Sequence, residues 1–168
     1  MTARRLAAIA IPLALLIGLL AQATMASAGT SNILKAETMV GVPDAFTGVK
    51  APIREINGGG IPWMLDDAKV VLTSDGHLTL KVEGLVLAAG TSAGTNPIAS
   101  FRGIVSCLQG DATILNVMTD PFPATTGPAT SGGGNAKFEG DVTLPDPCIA
   151  PIVFVTSPTG AWFASTGG

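Results

Sequence analysis

His77 is the single histidine in a chain of 168 residues, and Cys107 and Cys148 are its two cysteines. One histidine excludes His–His metal sites and leaves one imidazole for general-base work. The triplet Asp75-Gly76-His77 offers at most two metal ligands, too few without help from elsewhere. A serine nucleophile would need His77 and an aspartate nearby, and no G-x-S-x-G elbow marks a serine. Cys107 and Cys148 lack C-x-x-C spacing and have no adjacent His or Lys, so the expected chemistry is a disulfide rather than a reactive thiol pair. Closing a loop of that length stabilises by roughly 4 kcal/mol in the chain-entropy view.

The acidic residues are scattered singly apart from Asp66-Asp67. Most fall at turns or outward strand positions, which gives no marked pair of general acid and base. Calcium can be held by loop oxygens without a motif, but the D-x-[DN]-x-[DN]-G pattern is absent. Gly58-Gly59-Gly60 and Gly132-Gly133-Gly134 are not phosphate loops, since no Lys-Ser/Thr and no helix follows either. No pattern asks for a cofactor. Two Trp, six Phe and no Tyr are thin for a platform that stacks on sugars. Trp63 and Trp162 are expected in the core or packed on a sheet. Trp162-Phe163 places adjacent aromatics on opposite faces of a regular strand, so one of them is expected to face solvent. Trp162, Trp63 and His77, the last expected as a solvated turn residue, are therefore the candidates for a binding patch.

The elements that must position these residues are short. Past residue 29 no window sustains a 3.6-residue apolar period, and runs rich in Val, Ile, Thr and Phe alternate between Gly- and Pro-containing turns. The clearest is Ala68 to Leu87. A three-residue Ser74-Asp75-Gly76 loop pairs Leu72 with Leu78, Val70 with Leu80 and Ala68 with Val82, and this register alone segregates polar from apolar faces. Ile98 to Leu108 sends Ala99, Phe101, Gly103, Val105 and Cys107 inward and Ser100, Arg102 and Ser106 outward. Ile114 to Met118 is a short apolar strand. Ala136 to Leu144 alternates cleanly, Ile152 to Thr156 is apolar throughout, and Ala161 to Ser165 returns after a turn at Ser157 to Gly160. An early strand is expected around Phe46 to Ile56. Residues 29–45 read as a loosely ordered lead-in, and Asp120 to Gly134 as a mobile loop.

Residues 1–28 have the order of a secretory signal: Arg4 and Arg5, an apolar stretch of about fifteen residues, then Ala26-Ser27-Ala28. Gln22 and Thr24 end the apolar stretch before the roughly 20 residues that a membrane span needs. Cleavage near Ala28 would leave seven basic and twelve acidic residues, a net charge near −5. An acidic domain without a Lys/Arg cluster is a poor partner for nucleic acid or anionic membranes.

Cys148-Ile149-Ala150-Pro151-Ile152-Val153-Phe154-Val155-Thr156-Ser157, with Gly160-Ala161-Trp162-Phe163-Ala164, resembles the ending of small secreted bacterial proteins of no assigned activity. Gly60-Ile61-Pro62-Trp63 and Phe101-Arg102-Gly103-Ile104-Val105-Ser106-Cys107 carry the same resemblance. It implies a bacterial, extracytoplasmic β-rich protein with paired cysteines and brings no catalytic residues.

The expectation is an all-β chain: a signal helix over 1–28, then over 46–168 a two-sheet antiparallel sandwich of about seven or eight strands with one disulfide. The expected role is a non-enzymatic secreted module at the cell surface or outside the cell, either structural or binding a protein or polysaccharide. A carboxylate hydrolase, with or without calcium, and an enzyme inhibitor presenting Asp120 to Gly134 are the alternatives.

Overall fold

The computed structural model describes residues 29–167, so the expected signal peptide lies outside the described residues. The strands in chain order are β1 (Asn32–Ala36), β2 (Val40–Gly41), β3 (Trp63–Met64), β4 (Asp67–Thr73), β5 (His77–Glu83), β6 (Val86–Leu87) and β7 (Thr95–Asn96). There follow β8 (Ser100–Leu108), β9 (Ile114–Met118), β10 (Phe122–Pro123), β11 (Gly127–Pro128), β12 (Ala136–Asp141), β13 (Ile149–Thr156) and β14 (Trp162–Ser165). The protein is all-β, with several antiparallel sheets and a Cys107–Cys148 disulfide.

One sheet has the order β1-β4-β5-β12 and is centred on the expected hairpin. Leu72 pairs with Leu78, Val70 with Leu80 and Ala68 with Val82. Gly76 sits at φ +94°, a conformation that costs glycine least. The second sheet runs β10-β8-β13-β14-β2, with β9 also on β8. Inward residues of both sheets enter one core, including Val70, Leu80, Phe101, Val105 and Val153. A Cβ at Gly103 would press on Thr119 Cγ2, at 3.1 Å. Cys107 and Cys148 join a strand end to the loop preceding β13, with Cα atoms 4.9 Å apart.

Four expectations are corrected. First, residues 29–45 are not a loose lead-in, because β1 pairs with β4 and β2 pairs with β14. Second, Phe46 to Ile56 forms no strand. A 3-10 turn at Asp44–Phe46 and the breakers Gly48 and Pro52 turn the segment into an irregular strap. Third, the strap covers the outward face of the second sheet, so Ser106, expected outward, is fully buried. Fourth, Asp120 to Gly134 is pinned rather than free. The buried Asn96 side chain donates to the Ile98 and Thr125 carbonyls and accepts from Ile98 N–H, and β11 pairs with β7.

Candidate functional site

The strap reverses in a tight turn. Ile53 and Ile56 exchange both backbone hydrogen bonds, at 3.1 and 2.9 Å, with Arg54 and Glu55 between them. Their φ angles are +50° and +66°. Two positive φ angles in a two-residue hairpin turn are the signature of a type I′ turn, which Asn-Gly fills at least cost. Arg-Glu in those places carries about 1–2 kcal/mol of steric penalty per residue.

Arg54 is fixed by the fold. Its Nη2 donates to the Ala150 carbonyl at 3.1 Å, and its own carbonyl accepts from Asn116 Nδ2 at 3.0 Å. Glu55 is exposed, and among the described residues its carboxylate makes no hydrogen bond or ion pair. The turn imposes the positive φ on Glu55, but no side-chain contact of Glu55 offsets its cost, and strain held in this way concentrates at functional positions.

Glu55 lies on the wall of a cavity of about 350 Å³. Asn57 from the strap, Asn116 from β9 and Thr159 from the turn before β14 supply its other polar groups, and Ile104 and Met118 its apolar floor. Asn116 Oδ1 is buried with no partner, as is Oγ of Ser106, its cross-strand neighbour on β8. One carboxylate, two carboxamides and a hydroxyl can recognise a ligand bearing hydroxyl or amide groups. The single carboxylate falls short of the pair that glycoside hydrolysis uses. Across the strap lies a smaller apolar cleft of about 220 Å³, bordered by Val40, Pro43, Phe46, Ile53 and Trp162.

The three residues singled out as a binding patch are not brought together. Trp162 is buried on the outer side of the second sheet, edge-on to Phe46 at 6.3 Å and to Phe154 at 6.1 Å. Trp63 is buried on the inner side, stacked on Phe163 at 4.0 Å. Trp162 and Phe163 do point to opposite faces, but neither meets solvent because the strap closes the outer one. His77 stands on the other sheet, its Nδ1 2.7 Å from Asp141 Oδ1 on β12. Next to it, hydrogen bonds from the Thr73 hydroxyl and then Thr30 hold the Asp75 carboxyl below the usual carboxylate range.

Among the described residues no group of three or more His, Cys, Asp or Glu could hold a metal ion, and no helix is long and apolar enough to cross a membrane. Glu55, Asn57, Asn116 and Thr159 were not singled out from the sequence. The available signal was Asn116, the one polar residue in an otherwise apolar strand. Comparison with protein-family models, curated proteins and solved structures returns no match.

Proposed function

We propose that the protein is an exported, non-enzymatic binding module whose ligand site is the cavity beside the Arg54–Glu55 turn. In this reading the two larger sheets are the layers of a β-sandwich, with the strap as an added cover. Their shared core supports it. The signal-like residues 1–28 and the disulfide support export. The observation that carries the binding role is Glu55: a strained residue whose side chain does nothing for the fold yet borders a polar cavity. Polysaccharide hydroxyls or the amide groups of an extended protein segment match the carboxylate, carboxamides and hydroxyl available there.

The test is a glycan array and a peptide array probed with the purified protein and with Glu55→Ala. The proposal expects a defined set of spots that Glu55→Ala loses. An empty pair of arrays, or identical patterns for both proteins, would remove this cavity as the site.

A further inference from the structure

We infer that the protein pairs with a second copy of itself through the free edge of β9. This inference does not rest on the cavity's ligand, although Asn116 and Met118 belong to both surfaces.

Two hydrogen bonds flanking β9 fix which way its backbone points. Thr119 N–H donates to the Gly103 carbonyl at 2.9 Å, and Gln109 N–H donates to the Thr113 carbonyl at 2.8 Å. In an antiparallel ladder the N–H and C=O groups alternate sides. Thr113, Leu115, Val117 and Thr119 thus turn theirs to β8, and Ile114, Asn116 and Met118 turn theirs outward. Among the described residues no other strand pairs with that edge.

Unpaired edges attract other chains unless they are guarded by charge, proline or shortness. The other edges are guarded. β1 carries Lys35, β12 carries Lys137, Glu139 and Asp141, and β2 is two residues long. β9 reads Ile-Leu-Asn-Val-Met, with no charge and no proline, and leaves Leu115 42% and Met118 52% exposed.

The pattern selects a second copy as the occupant. It is apolar on either side of Asn116 and reads alike in both directions, so a two-fold axis through Asn116 sets Ile114 against the partner's Met118 and Leu115 against the partner's Val117. In that register every outward N–H and C=O of the three residues finds a partner. Charge permits it too. Asp111 falls opposite the partner's Pro121 and Asp120 opposite the partner's Ala112, so no two acids face each other despite the acidic character of the chain.

Sedimentation velocity over a wide concentration range tests this, on the wild-type protein, Leu115→Lys and Ile114→Pro. Both substitutions suit a solvent-facing edge but not a paired one. Wild type is expected to convert from monomer to dimer as concentration rises, and both variants to stay monomeric with unchanged circular dichroism. Asn116→Cys supplies a second readout. Residues on the axis are about 5.5 Å apart at Cα, within disulfide range, so the variant is expected to form a covalent dimer on mild oxidation. A wild type that stays monomeric, or a dimer that both variants and Asn116→Cys leave unchanged and uncrosslinked, would overturn the inference. So would Leu115→Lys and Ile114→Pro abolishing capture of an extended peptide by a chain that never dimerises.

Discussion

Replacing Glu55 by glycine separates stability from binding at the centre of the proposed site. Glu55 sits at φ +66° with its side chain exposed. Glycine removes a left-handed penalty of about 1–2 kcal/mol. It adds roughly 0.5–1 kcal/mol of backbone entropy to the unfolded chain, which offsets part of the gain. The balance is a stabilisation of about 0.5–1 kcal/mol, or a rise in Tm of about 2–4 °C for a domain of this size. Calorimetry at neutral pH reads the shift, and the arrays described above read the binding. Glu55→Ala keeps the strain and removes the carboxylate, so its stability should stay within about 0.5 kcal/mol of wild type while binding is lost. A lower Tm for Glu55→Gly would mean that the side chain supports the fold, and the strain argument would collapse. A higher Tm with binding intact would leave the relief of strain standing but refute the site.

Removing the bridge by Cys107→Ala with Cys148→Ala should cost about 4 kcal/mol, read as a fall in the denaturant midpoint. Asn96→Ala removes three hydrogen bonds made by a fully buried side chain and should destabilise by about 2–4 kcal/mol, with faster proteolysis between residues 120 and 134. Asp75 has its pKa lowered on folding, chiefly by the Thr73 hydroxyl, so its stabilising effect is present above the ordinary aspartate value of 3.8 and fades as pH falls through the lower folded value. Asp75→Ala should therefore melt below wild type near neutral pH, and the difference should shrink as the pH falls through the lowered folded value.

The hairpin of β4 and β5 was legible to the residue because one register alone separates its faces, and a slip by one would expose Val70 and Leu80. β8 and β12 were legible by the same alternation, and β13 as an unbroken apolar run between turn residues. The strap was not. A segment broken by Pro43, Gly48 and Pro52 has neither helical nor strand period, so nothing in its pattern shows that it lies over a sheet. That omission propagated, since Ser106 and one member of the Trp162-Phe163 pair were expected on an open face that is in fact covered. The cavity was illegible for another reason. Glu55, Asn116 and Thr159 belong to three segments that only the tertiary fold brings together, and positive φ at Arg54 and Glu55 runs against their residue types rather than with them.

The strap also sets an order of events. It lies early in the chain, yet the surface it rests on is made of β8, β9, β13 and β14, and its contacts include Gly58 with Trp162 and Arg54 with Ala150. Those partners are synthesised last. Residues 43 to 58 must therefore wait, undocked, until the C-terminal strands emerge, and such distant pairings make folding slow. In a chain that crosses a membrane N-terminus first, the segment carrying the strained turn would leave the translocation machinery early and be the last to close.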